Sequence, residues 1–267
     1  MDVKDEHILK SLAEARQNAK MHSDILDFTC DNFIVNTRSG INIENIPDNI
    51  QMILHEYAST CSEDEQRAIN SVAQQVDYLL STVNDLRDIT RSSDSNADFI
   101  PDYLISLFSY LSQINCESST EFCSEIQNIV LRVNEEYELD EFSINCVSNV
   151  ASIYEDSYLY WIDNYHKWLG VDNMTRAHDW EEIWESIKET ATVLGEADAK
   201  GAAAVYLVAG AAALASGGAL TIPAGAAIAS GAASSSIVEG VDKVVEMLKN
   251  DESEDDANGT GNTSTNK

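Results

Sequence analysis

Basic charge is scarce in this chain. Sixteen lysines and arginines stand against 46 aspartates and glutamates, leaving a formal net charge of −30. A surface this acidic repels nucleic-acid backbones and anionic lipid headgroups at long range, so no nucleic-acid partner is expected. The run Asp251 to Asp256 near the carboxy end holds a small part of the excess, and the acidity belongs to the body of the protein. A solvated, self-repelling surface accounts for it. A basic partner, a high-salt setting or mimicry of a nucleic acid are the sharper alternatives.

Other absences narrow the field further. Three prolines in 267 residues argue for helices over a loop-rich β fold. No period-2 run of β-branched residues competes with helical spacing anywhere in the chain. The five cysteines, Cys30, Cys61, Cys116, Cys123 and Cys146, lack the CxxC or Cys/His spacing of a zinc site. Several fall on apolar helix faces, where a reduced thiol acts as a small hydrophobe. The first twenty residues are amphipathic and charged with no apolar signal core, which sets the cytoplasm as the default compartment. No GxSxG, HExxH, GxxxxGK[ST] or strand-borne GxGxxG occurs. Asp94, Asn96, Asp98 and Asp102 imitate part of a calcium loop, but Phe99 stands where that loop needs glycine and Ile105 where it needs glutamate. The histidines His7, His22, His55, His166 and His178 are scattered. His22 lies beside Asp24 and His178 beside Asp179, and adjacent helical residues point in different directions. These histidines are therefore expected to be solvated or capping. The reading is of no enzyme, with no catalytic, metal or cofactor-binding residues and no cofactor.

What is present is helical periodicity. Residues 4–36 read as one or two helices, ending before the turn-like Thr37-Arg38-Ser39-Gly40. A short helix should follow Pro47, with Ile50, Ile53 and Leu54 on one face. Ser62 and Glu65 form a capping box, and Ile69, Val72, Val76, Leu79, Leu80, Val83 and Leu86 predict one helix from there to about Arg91. A polar linker, 92–98, leads to Pro101 and a helix bearing Leu104, Leu107, Phe108, Leu111 and Ile114. Ser118 and Glu121 make a second box ahead of Phe122, Ile126, Ile129, Val130 and Val133. A longer helix over about 140–169 carries Phe142, Cys146, Val150 and Ile153, then the aromatics Tyr158, Tyr160, Trp161, Tyr165 and Trp168, read as core. Gly170 fits its C-cap. After a loop at 171–176, the stripe Trp180, Ile183, Trp184, Ile187 continues through Val193 and Leu194.

That stripe runs into the most distinctive region, residues 201–238, which carries no charge at all. Gly217-Gly218 and Pro223 divide it, which predicts two apolar helices folded back on each other. Gly201, Val205, Val208 and Ala212 recur at helical steps on the first arm, and Ala227, Gly231, Ser234 and Val238 on the second. Small residues at such steps let facing backbones approach closely. Pro223 fits the first turn of the second arm with Thr221 as its cap. Each arm is shorter than the about 20 apolar residues that span a bilayer, and alanine and glycine carry little transfer free energy. Packing against protein is therefore favoured, with membrane entry through 201–238 as the alternative.

Two segments resemble uncharacterised bacterial proteins. Lys20-Met21-His22-Ser23-Asp24-Ile25-Leu26-Asp27-Phe28 is similar to their K-x-H-N-x-x-L-D-Y helix, departing at Ser23 and Phe28. Glu196-Ala197-Asp198-Ala199-Lys200-Gly201-Ala202 is similar to the A-D-x-x-G-A that begins their glycine- and alanine-rich tail. The resemblance brings no activity. It implies that the amino-terminal helix and the carboxy-terminal hairpin belong to one architecture.

The expectation is an all-α protein with a helical body over 1–195, an antiparallel small-residue hairpin over 196–249 and a disordered acidic tail over 250–267. Its leading function is a non-enzymatic interaction or structural protein with a protein partner. The alternatives are a membrane-active helical hairpin resembling a toxin or bacteriocin, and an acidic nucleic-acid mimic that binds a basic partner.

Overall fold

The computed structural model describes residues 3–34, 49–91, 100–168, 180–217 and 220–258. These form an all-α protein, and no strand occurs among the described residues. Helix α1 covers Val3–Thr29 and ends in a π-turn at Cys30–Ile34; α2 covers Ile50–Ala58, α3 Glu63–Ala73 and α4 Val76–Arg91. Then come α5 at Asp102–Leu111, α6 at Ser119–Tyr137, α7 at Glu141–Trp168, α8 at Trp180–Ser216 and α9 at Gly225–Asn258.

The four long helices make the core. Residue pairs fix their directions. His7 meets Glu141, Asn18 meets Asn149 and Asp27 meets Lys167, so α1 and α7 run parallel. Tyr206 meets Asn149 while Asp198 meets Ser157, so α8 returns antiparallel to α7. Gly201 faces Gly231 and Ser235, which sets α9 antiparallel to α8. Parallel α1 and α7 need a long connection. It is supplied by α2 to α6, which pack around the core, with α3 against α9, α4 against α8 and α6 against α7.

Sequence pattern accounts for most of this. Along α1, Ile8, Leu12, Ala15, Ala19, His22, Leu26 and Thr29 recur at steps of three and four, and all are buried. Along α7 the aromatics converge in the centre. Trp161 is fully buried 4.8 Å from the Trp168 ring, and its Nε1 donates to Ser236 Oγ on α9 at 3.0 Å. Cys30 and Cys146 are buried, and all five cysteines are free.

Several expectations need correction. The helix expected from Ser62 to Arg91 breaks at Gln74-Gln75. The Gln75 side chain takes the Ser71 carbonyl at 3.2 Å, and the Gln75 backbone N–H tightens onto Val72 O at 2.9 Å. The apolar stripe continues across the break, so its period does not register it. Ser62 and Glu65 do form a capping box. At Ser118 only half of one forms: its Oγ accepts from the Glu121 N–H, while the Glu121 carboxylate accepts from Glu117 N–H. Ile114 lies beyond the end of α5, packed on the core. The second arm begins at Gly225, after Pro223, and Thr221 is not its cap. The Ala224 carbonyl opens that helix instead, accepting from Ala227 and Ile228. Helix α8 crosses residue 195 without a break, and α9 packs on α1 as well as on α8. Helix α9 also continues to Asn258 instead of stopping at 250, because no glycine or proline lies between Gly240 and Gly259 to end it. The turn at 37–40, Pro47, the linker 92–98, Gly170, the loop 171–176, Gly218 and His178 lie outside the described residues, as do Asp94, Asn96 and Asp98.

The backbones of α8 and α9 approach closely at Gly201 and Gly231. A Cβ on Gly201 would stand 2.5 Å from Gly231 O and 2.9 Å from Ala232 Cα, both backbone atoms that cannot yield locally. At Gly210 the nearest atom to such a Cβ is the end of Leu220, 4.0 Å away. Gly201→Ala should therefore lower the unfolding free energy by about 1–3 kcal/mol through overpacking. Gly210→Ala should raise it by up to about 1 kcal/mol through helix propensity. Urea denaturation of the two variants checks the contrast.

Candidate functional site

The most concentrated polar chemistry in the interior centres on His22. It sits on the core-facing stripe of α1 and is fully buried where α1, α7 and α8 meet. Its Nδ1 lies 3.1 Å from Asp156 Oδ2 on α7, and its Nε2 lies 2.8 Å from Asp198 Oδ2 on α8. Ser23 Oγ donates to the same Asp156 oxygen at 2.6 Å, and Ser157 Oγ donates to Asp198 Oδ2. Asp198 is fully buried, and its Oδ1 has no hydrogen-bond partner among the described residues. Burial alone would lower the imidazole pKa, but the Asp198 charge and the hydrogen bonds of Asp156 and Asp198 outweigh it and raise it to about 9. At neutral pH both ring N–H groups therefore donate to carboxylates.

This arrangement overturns the solvated or capping role expected for His22. Its partners stand 134 and 176 residues away along the chain, whereas the adjacent Asp24 is not among them. One signal in the sequence pointed to it: His22 falls in step with Ala15, Ala19 and Leu26 on the buried face. Helices α1 and α8 meet here, through His22 of the first and Asp198 of the second.

Further polar pairs extend along the same seam. Arg16 donates to Glu155 at 2.7 Å and to the Cys123 carbonyl at 3.2 Å. Asn18 donates to Asn149 at 3.3 Å, and Asn149 donates to the Tyr206 hydroxyl at 3.0 Å. Lys167 pairs with Asp27 and Asp31, each at 2.9 Å, and the Tyr160 hydroxyl donates to Asp27 at 3.2 Å. This seam ties α1 to α7 over nearly its whole length.

Chemically the cluster is closed. A general base needs a free nitrogen within reach of a proton, and both nitrogens of His22 are committed. Ser157 donates to the aspartate and not to the imidazole, so the serine–histidine step of a nucleophilic triad is missing. Two surface cavities, of about 510 and 270 Å³, are bounded by other residues: His55 and Met52 line the first, Tyr158 and Glu189 the second. Among the described residues no group of histidine, cysteine and carboxylate side chains could hold a metal ion.

The hairpin residues fall into two groups. Gly201, Val205, Gly231 and Ser234 are buried at the seam, with a Cβ on Gly231 placed 2.4 Å from Val205 Cγ2. Val208, Ala227 and Val238 are half-buried, and Ala212 is exposed. The expected seam therefore forms at the base of the hairpin and opens toward its end. Between Tyr206 and Ala226 none of the described residues is buried. Leu214 is 82% exposed, Leu220 49% and Ile222 47%. Composition gave no warning of this, since the exposed and buried parts of the segment are equally uncharged.

No protein-family model, no curated protein and no solved structure matches this chain.

The charged His22 gives a defined pH dependence. Its folded-state pKa of about 9 lies above the ordinary 6.5, so its stabilising contribution is complete below about pH 6.5 and is lost as the pH rises through about 9. Urea denaturation should show the wild type losing stability across that window and His22→Gln showing a flatter profile. The variant should also be weaker at neutral pH by about 3–5 kcal/mol, the usual cost of breaking one side of a buried ion pair. Parallel pH profiles would refute the charged assignment.

Proposed function

We propose that this chain is a non-enzymatic interaction protein whose working surface is the end of its carboxy-terminal hairpin. One observation carries the reading. Leu214, Leu220 and Ile222 stand exposed together on an element whose base is locked into the body. Scattered exposed aliphatics are ordinary on soluble proteins, whereas a contiguous uncharged surface marks an interaction site. The non-enzymatic half of the reading draws support from His22, whose nitrogens are both engaged in a closed cluster.

The body serves as a rigid mount in this reading. Tyr206, the last buried residue of α8, is held by Asn149 and by the Phe142 ring at 5.5 Å. At the start of α9, a Cβ on Gly225 would fall 2.6 Å from the Asn18 side chain, so that turn is seated directly on α1. Both ends of the exposed segment are thus fixed to helices of the core.

The test is the double variant Leu214→Asp, Ile222→Asp in the full chain. Both positions are exposed, so unfolding free energy should stay within about 0.5 kcal/mol of wild type. In fractionated cells the wild type should migrate with a larger assembly or a membrane fraction, and the variant as a free chain. Identical profiles for the two would overturn the proposal, as would a turnover traced to a pocket in the body.

A further inference from the structure

We propose that the cavity of about 270 Å³ in the body, between the α5–α6 connection, α7 and the first half of α8, binds a small aliphatic diamine or polyamine through its ammonium group. The site lies apart from the hairpin end, and neither reading depends on the other.

A fixed aromatic wall is the first argument. The Phe122 ring is stacked 4.3 Å from Tyr158 and 5.9 Å from Tyr154, and all three line the cavity. Tyr154 is buried, and its hydroxyl donates to Leu111 O at 3.2 Å. Helix α8 passes so close at Gly195 that a Cβ there would stand 3.3 Å from the Tyr154 ring. The wall is therefore formed before any ligand arrives, which lowers the cost of ordering on binding. A volume of about 270 Å³ falls just below the about 300–1,000 Å³ of drug-sized sites, so the occupant is small.

Unused hydrogen-bonding capacity is the second argument. The Glu189 carboxylate, the Tyr158 hydroxyl and the Asn115 amide line the cavity and have no hydrogen-bond or ion-pair partner among the described residues. Other polar groups of the wall are engaged: Lys188 with Glu185 at 3.0 Å, and Thr192 Oγ1 with Lys188 O at 2.9 Å. A carboxylate, a hydroxyl oxygen and an amide oxygen can all accept. A primary ammonium carries three donors and no acceptor, which matches that set. A quaternary ammonium would leave all of them unmet. A divalent metal ion asks for more oxygen ligands than one uncommitted carboxylate and its neighbours supply.

Charge selects the ligand. Among the lining residues Lys188 is the only cation, against Glu185 and Glu189. Cys116 on the same wall is near Glu121 and Glu125; burial and these two carboxylates raise its thiol above the ordinary range. The cavity is thus acidic at its wall and beside it, which opposes phosphates and carboxylic acids. A diamine sets one ammonium at Glu189, rests its methylenes on the rings and leaves its second ammonium to the neighbouring carboxylates.

Equilibrium dialysis of the full-length protein against radiolabelled 1,4-diaminobutane at fixed ionic strength tests this. A single equivalent should bind. Glu189→Gln should weaken binding about tenfold or more and Tyr158→Phe about threefold, as expected for losing a charge-assisted and a neutral hydrogen bond. Asp77→Asn removes the same charge at an exposed position on α4, away from the cavity, and should leave binding unchanged. Unlabelled 1,4-butanediol and tetramethylammonium should not compete. Circular dichroism of each variant should overlay that of the wild type, since all three side chains reach solvent. Several equivalents, equal weakening by Glu189→Gln and Asp77→Asn, or competition by tetramethylammonium would assign the amine to the acidic surface at large and overturn the proposal. So would the absence of binding.

Discussion

A positive charge held between two carboxylates in the protein interior constrains everything else in this fold. Moving ions out of water costs several kcal/mol each, and the loss is recovered only where geometry is good and hydrogen bonds are complete. At His22 residues from three helices supply most of those bonds, Asp156, Ser157 and Asp198 together with Ser23, and among the described residues only Asp198 Oδ1 is left without a partner in the cluster. A slip of α1 by one turn against α7 would carry the imidazolium away from Asp156. Apolar packing tolerates such slips far better. The cluster therefore sets register, and the pairs Arg16–Glu155 and Asp27–Lys167 repeat the same requirement on either side of it.

Register at Asp198 determines the hairpin as well. Gly201 follows one turn later on the same helix, and its backbone touches that of Gly231. Glycines at a contact this close offer almost no side-chain surface to bury. Their contribution is dispersion between backbones, which falls off steeply with small displacements. Such a contact needs both helices placed accurately, and the ionic cluster places the first. The indole of Trp161, bonded to Ser236 and lying over Gly240, places the second. The apolar hairpin is thus positioned by polar contacts at its base.

Much of the fold was legible in the chain because amphipathic helices announce themselves. The capping box at Ser62, the Ile50–Ile53–Leu54 face and the aromatic run on α7 all took the places that their spacing implied. The antiparallel pairing of the two arms was legible too, since Gly201 and Gly231 have few other uses at helical steps. Failures came where a side chain competed with the backbone or where distant residues met. Gln75 broke a helix whose apolar period ran on undisturbed. His22 looked idle beside Asp24 because Asp156 and Asp198 are brought to it only by folding. A polar residue in phase with a buried stripe was the available sign, and Asn149 and Glu155, both buried on α7, carried the same sign.

The exposed hairpin end and the acidic body bear on one another. An uncharged surface bearing Leu214, Leu220 and Ile222 would ordinarily drive self-association. Here two copies approaching end to end bring Asp5, Glu6 and Glu141 of each against those of the other, on bodies that each carry −30. The repulsion acts over about a Debye length, roughly 8 Å at physiological salt, so it operates before short-range apolar contact can form. The same net negative charge allows this chain to hold an apolar element open to solvent. A surface that meets that element must therefore present little negative charge of its own, which selects among occupants before any contact is made.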